Sequence, residues 1–360
     1  MRVCQLGFAA IILLLISSVV FAQDAVQKEF QERFFVPEQG HIELRYSHAG
    51  HLEGREIKTE ADLLKLLDEI EKIPYSEEGI TSWKFFEQVG FKRVLPPLPE
   101  PPPGSTGKVQ RVPDWRKIEI TFTKDHFLQR EDILGHESIA AWSPISEVSI
   151  RQHPQHYQVN HYRPGTNRSR FVLGAGTVFQ RESGGFEQKF TPSQMGDREA
   201  WTFSTERAQR VILSRPGKDI IDAVYIGNGD RVFNVSLHLY HQPPAGESGM
   251  WTPRLIVQLR SQSKSQTRFS AYLVQNVDFT TPVPKEAFEI TATKGSTYVY
   301  EDSTKKVATR LAADIKDILN LTPMLACEFI ETDRREYFDR LRKQEEAQNA
   351  AEQKAKAEEE

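Results

Sequence analysis

From about residue 111 to 303, apolar and polar side chains alternate one by one, and a period of two restricts such a stretch to strands with one dry and one wet face. Ile118, Ile120 and Phe122 alternate with Glu119, Thr121 and Thr123. Phe233, Val235, Leu237 and Leu239 alternate with Asn234, Ser236, His238 and Tyr240. The pattern returns in Leu255, Val257 and Leu259 and in Phe269, Ala271 and Leu273, while 148–162 and 171–179 add strand candidates. Turn signals separate them: Pro164-Gly165, Gly184-Gly185, Gly227-Asn228-Gly229-Asp230 and the stretch from Pro243-Pro244 to Gly249. Short turns join antiparallel neighbours, whereas parallel pairs need long crossovers, so the pattern predicts an antiparallel sheet whose dry face needs a cover.

Helical patterns supply that cover. Thr59-Glu60-Ala61-Asp62 reads as a capping-box start, after which Leu63, Leu66, Leu67, Ile70 and Ile73 share one face until Pro74. A second helix is predicted over 76–89, burying Ile80, Trp83 and Phe86 and stopping at Gly90, and a third over 304–319 with Val307, Leu311, Ile315 and Ile318 on one face. The chain thus divides into a leader over 1–22, a helical N-terminal region over 23–93, a proline-rich linker over 94–110, a sheet domain with its covering helix over 111–330, and a charged tail over 331–360. The predicted class is α+β: a strongly curved antiparallel sheet, a half-barrel, covered by helices.

The leader carries one cation, Arg2, then the apolar run Phe8 to Val20 and the small-residue exit Val20-Phe21-Ala22. This is the build of a secretory signal peptide cleaved after Ala22; the alternative is an uncleaved N-terminal anchor. Export to the periplasm or the exterior follows from the first reading. Cys4 precedes the apolar run rather than ending it, so it is not placed as a lipid acceptor. Removing the leader leaves Cys327 as the remaining cysteine, which rules out an internal disulfide and predicts a buried packing residue beside Leu325, Ala326 and Phe329. The 46 Lys and Arg against 50 Asp and Glu give a net charge of −4. That balance lacks the basic concentration a nucleic-acid partner needs, and Arg163, Arg168 and Arg170 read as a solvated loop.

Catalytic patterns are missing. His153, His156, His161, His238 and His241 invite a metal, but residues at odd separations point to opposite faces of a strand unless a bulge intervenes. Neither an H-E-x-x-H helix nor a G-x-S-x-G elbow occurs, and Gly174-Ala175-Gly176 sits in a strand-like run without the helix a dinucleotide loop requires. Carboxylate neighbours such as Asp125, Glu131 and Asp132 carry little weight. No enzymatic activity, cofactor or metal is expected, although an unrecognised hydrolase stays open.

The leader, the N-terminal helix, the meander of amphipathic strands and the covering helices together resemble the LolA-like exported envelope proteins. The local match is Trp251 to Val257, then Phe269 to Gln275, then Val277-Asp278-Phe279-Thr280-Thr281-Pro282-Val283-Pro284-Lys285-Glu286-Ala287-Phe288-Glu289-Ile290, where an acidic residue precedes a short proline-then-Phe stretch and a final Gly-containing strand, Gly295 to Tyr300. The resemblance covers about 111–303 and implies a half-open barrel with an apolar cavity for a lipid or a lipoprotein acyl chain. Cavity candidates are Phe122, Leu237, Leu239, Leu255, Val257 and Phe269; the other reading is that they fill a solid core. Expected partners are therefore an acyl chain or an envelope protein, with membrane-surface contact open and nucleic acid excluded. A periplasmic sensor or protein-interaction module without a lipid cavity is the alternative function.

Overall fold

The structure, a computed structural model, describes residues 28, 38–76, 84–94, 115–133, 136–153, 156–162, 190–205, 208–215, 220–228, 231–243, 251–261, 267–301, 306–330, 343 and 347. The leader, the proline tract, the predicted strand over 171–179, Arg163 to Arg170 and most of the tail lie outside them.

In chain order the strands begin with β1 (Gln39–Glu53), β2 (Lys92–Val94), β3 (Arg116–Thr123), β4 (Phe127–Ile133), β5 (His136–Trp142), β6 (Glu147–His153) and β7 (His156–Tyr162). They continue with β8 (Thr191–Met195), β9 (Arg198–Ser204), β10 (Gln209–Ser214), β11 (Ile221–Asn228), β12 (Arg231–Gln242), β13 (Thr252–Ser261), β14 (Thr267–Asp278), β15 (Thr297–Glu301) and β16 (Lys306–Arg310). The described helices are α1 (Glu60–Ile70), α2 (Lys84–Gln88) and the four-residue α3 (Pro323–Ala326), with short 3-10 turns at Lys285–Phe288, Ile318–Asn320 and Cys327–Phe329. Hydrogen-bonded neighbours follow the order β16-β15-β7-β6-β5-β4-β3-β1-β14-β13-β12-β11-β10-β9-β8, with β2 beside β1.

That order overturns the predicted class. The described residues form chiefly one large open sheet of mixed sense, not an α+β half-barrel under helices. The pairing of β15 with β7 is parallel, Thr297 opposite Gln158 through Glu301 opposite Tyr162. The N-terminal region is not uniformly helical either: 15 of its residues form β1, where Ile42 and Leu44 are buried and alternate with polar neighbours. The helix expected over 304–319 does not form. Its Leu311 and Ile315 are buried instead through isolated bridges, Leu311 to Ile330 and Ala292 to Ile315, and Ile318 opens a 3-10 turn.

The chain divides into two compact units. One comprises Met1–Pro37, Arg45–Trp115 and Arg170–Gln275; the other comprises Glu38–Leu44, Arg116–Ser169 and Asn276–Glu360. In the first unit, β8 to β14 pair antiparallel in sequence order. One face of these strands buries Val211, Leu213, Ala223, Tyr225, Val235, Leu237, Leu239, Leu255, Val257, Leu259, Phe269, Ala271 and Leu273 in a single core with Leu63, Leu66, Leu67 and Ile70 of α1 and Phe85 and Phe86 of α2. The α1 start is as read from sequence: Thr59 Oγ1 accepts from the Asp62 amide at 3.2 Å and the Asp62 carboxylate accepts from the Thr59 amide at 2.9 Å. Gly90, with φ of +85°, ends the second helical segment as expected, because that left-handed conformation favours glycine.

One strand departs from simple alternation. The β11–β12 register slips between Ile226 and Gly227, so Val232 takes the inward position and Phe233 is turned out, 45% exposed, rather than sharing a face with Val235 and Leu237. Gly227 is required there, since a Cβ would meet the Arg231 carbonyl oxygen at 2.5 Å.

The second unit has its own core, with Leu128, Ile139, Ala141, Val148, Ile150, Val159, Tyr298 and Tyr300 from one sheet face under Phe288, Ile290, Leu311, Ile315, Ile318 and Leu319. The hydroxyls of Ser143 and Ser146 both donate to the Leu319 carbonyl, at 2.8 and 2.6 Å, which fixes this irregular segment over the strands. The motif around Asp278 leads into it: the carboxylate accepts from the amides of Thr280 (2.8 Å) and Thr281 (3.0 Å), turning the chain out of β14 toward the buried Phe288.

Candidate functional site

Helix α1 is positioned by its ends. At its start the Tyr225 hydroxyl donates to the Glu60 carboxylate. At its end the chain carries Asp68, Glu69 and Glu71 and no basic residue in the last turn, an unfavourable match to the negative end of the helix dipole. Cations from elsewhere in the unit compensate. Arg55 pairs with Glu69, while Arg198 reaches Glu71 at 2.7 Å and Asp68 at 3.7 Å. Arg198 also pairs with Asp222 on β11, and Arg215 donates from Nε to Asp222 at 2.9 Å and lies 3.6 Å from Glu71. Arg198 and Asp222 are buried, at 6% and 1% exposure, so each charge relies on this network. Burial raises the Asp222 pKa even though both guanidiniums pull the other way.

Beside this network a cleft of about 510 Å³ opens within the first unit. Leu67, Ile70, Ile73, Pro74, Ile220, Leu239 and Trp251 supply apolar wall, Tyr75 and Tyr240 aromatic wall, and Glu71, Arg215, Asp222, His238 and His241 the polar remainder. Tyr75 is 41% exposed, with its ring 5.3 Å from that of Tyr240 and the Arg254 guanidinium 6.0 Å from its centroid.

The two histidines meet because β12 is irregular. Tyr240 adopts φ of +55°, costly for a bulky residue, and its ring packs against the core of the unit beside Phe85. His238 and His241, three apart, therefore both line the cleft, which strict alternation would forbid. Burial, then the neighbouring His241, lowers the His238 pKa to about 3. Burial, then the charge of Arg215, lowers that of His241 to about 4, and its Nε2 donates to the Ile221 carbonyl at 2.8 Å. Both are neutral at pH 7, well below the range in which an imidazole trades protons as a general base. Among the described residues no group of three or more His, Cys, Asp or Glu is placed to hold a metal ion.

Of the six cavity candidates, Leu239 lines the cleft. Leu237, Leu255, Val257 and Phe269 lie with it in the core of the first unit, Leu237 opposite Val257 and Leu239 opposite Leu255, and the Phe269 ring is 4.4 Å from that of Phe86. Phe122 is buried in the second unit, 6.2 Å from Phe279. The sequence reading missed the cation network and the end of α1. A signal existed in Asp222, a carboxylate inside the apolar run Ile220 to Val224, since a buried charge demands a partner.

No family model matches the chain, and no curated protein matches it. Among solved structures, it is similar to a LolA superfamily protein from Nitrosomonas europaea at 7% identity, over 74% of this chain and 96% of that one, with a TM-score of 0.37. This measures a distant LolA-like likeness and assigns no ligand to the present chain.

Proposed function

We propose that the chain is an exported, non-catalytic binding protein that takes an amphipathic ligand, a fatty acid or another single acyl chain, in the cleft at the end of α1. The observation that carries this reading is the cleft itself. Its volume lies in the range of about 300–1,000 Å³ common for small-molecule sites, and apolar wall is joined to a polar end, as an amphiphile requires. Each methylene leaving water adds about 0.8 kcal/mol, so the apolar wall supplies the affinity and the polar end the orientation. The neutral histidines favour binding over proton-transfer chemistry.

Fluorescent fatty-acid titration of the parent and of two cleft-filling variants, Ile73→Trp and Leu239→Trp, tests this. The parent should bind the probe saturably, and Ile73→Trp should weaken binding at least tenfold with an unchanged melting temperature. Leu239→Trp should do the same if its side chain extends into the cleft; in a solid core it would cost about 1–3 kcal/mol of stability. A parent that binds no probe, or an Ile73→Trp variant that binds as the parent does, would overturn the reading.

A further inference from the structure

Two guanidiniums at the end of α1 are committed to carboxylates: Arg198 holds Asp222 and Glu71, and Arg215 holds Asp222. A third guanidinium at the same cleft is not. Arg254 on β13 falls between the pairs Leu239–Leu255 and His241–Pro253, at the register position of Tyr240, and its guanidinium lies over the ring of Tyr75, 6.0 Å from the centroid. Tyr75 and Tyr240 both line the cleft, with their rings 5.3 Å apart. Among the described residues Arg254 has no carboxylate within ion-pair reach, and its Nε is buried without a hydrogen-bond partner, although the residue as a whole is half-buried. Stacking on an aromatic ring engages the face of a guanidinium and leaves its in-plane N–H donors to find acceptors elsewhere. A partly desolvated cation with unmatched donors costs stability, and an acceptor brought by a ligand recovers that cost.

Resting on the reading of the cleft given above, we propose that Arg254 receives the ionised head of the ligand, so that the cleft selects a fatty-acid carboxylate over a neutral lipid. A planar carboxylate matches the edge of a guanidinium and accepts two parallel hydrogen bonds from it. Tyr75 under the guanidinium restricts its conformers, which lowers the entropy lost when the head is bound. The apolar wall of Leu67, Ile70 and Leu239 takes the tail, and the neutral imidazoles of His238 and His241 add no second positive charge. Glu71 and Asp222 line the same cleft, so a monoanion is tolerated better than the nearly doubly charged head of an alkyl phosphate.

Displacement of a fluorescent fatty acid from the full chain tests it, with dodecanoate, methyl dodecanoate and dodecyl phosphate as competitors at a pH of about 8, where the carboxylate is ionised. The quantity read is the affinity for dodecanoate divided by that for its methyl ester. A charge-assisted hydrogen-bond pair is worth roughly tenfold or more, so Arg254→Gln should lower this ratio at least tenfold through dodecanoate alone and leave the ester where it was. Arg254→Lys, which keeps the charge and loses the planar fork, should fall between the two. Because Arg254 pairs with no carboxylate among the described residues, the melting temperature should hold in both variants. A parent that binds neither dodecanoate nor its ester removes the cleft reading and this inference with it. If the parent binds both and Arg254→Gln leaves the ratio unchanged, the cleft stands and the role of Arg254 falls. Equal losses for acid and ester would mean that Arg254 only shapes the cleft through Tyr75, and dodecyl phosphate binding tenfold tighter than dodecanoate would overturn the choice of a carboxylate.

Discussion

His161 and His238 are buried and His241 is half-buried; all three are neutral at pH 7, and each therefore ties stability to pH. Burial lowers His161 to about 3, beside its 3.0 Å contact with the Tyr298 hydroxyl, and His238 and His241 to about 3 and about 4. Their unfolded value is about 6.5, so between pH 6.5 and roughly 4 the unfolded chain binds protons that the folded chain refuses, and stability falls as pH falls through that window. At pH 5 each imidazole accounts for roughly 2 kcal/mol of the loss. Urea unfolding at pH 7 and pH 5 should show a large drop for the parent and a visibly smaller one for His238→Gln; equal drops would show that His238 does not titrate on unfolding. Little of this could be read from the residues alone. The odd spacing of His238 and His241 argued that they diverge, and the left-handed turn at Tyr240 that brings them together leaves no mark in sequence, because aromatic residues seldom adopt it.

Elements were legible where a local rule decided them and illegible where distant partners did. The start of α1 is written in Thr59 and Asp62, and its face in Leu63, Leu66, Leu67 and Ile70, all buried as the 3.6-residue period requires. Thr59→Ala removes the acceptor for the Asp62 amide and should cost about 1 kcal/mol in urea or thermal unfolding. A variant as stable as the parent would mean that the network at the other end of α1, not the cap, secures the helix. The segment 304–319 shows the opposite case. Its apolar residues at four-residue spacing satisfy a helical template, yet β16 pairs with β15, and Leu311 and Ile315 find Ile330 and Ala292 instead. Spacing alone cannot distinguish a helix from an irregular strap that buries every fourth side chain, and tertiary pairing decided the outcome. The same holds for β1, whose Ile42, Leu44 and Tyr46 alternate but sit just upstream of a strong helical signal.

At the scale of the whole molecule, alternation picked out β3, the stretch of β6 and β7, and β12 to β14, and short turns predicted antiparallel neighbours, as β3 to β7 and β8 to β14 are; β4, β5 and β8 to β11 were not read from the pattern. The parallel contact of β15 with β7 brings together residues more than a hundred positions apart, and no local pattern encodes it. The division into two units also escaped the composition, since β1 and β14 each contribute residues to both. It nevertheless gives the ligand reading a spatial test. The cleft residues all belong to the first unit, so a bound fatty acid should slow amide hydrogen exchange at the end of α1 and in β11 and β12, and leave β3 to β7, β15 and β16 unchanged. Because ligand bound to the folded state stabilises by mass action, about 2.7 kcal/mol at a hundredfold excess over Kd, the thermal midpoint should rise with ligand concentration. The two measurements separate a cleft ligand from a detergent-like one. A midpoint that rises with protection in the first unit locates the site, whereas protection confined to the second unit would move the ligand away from α1 and end the assignment of Leu239 and Ile73 as its walls.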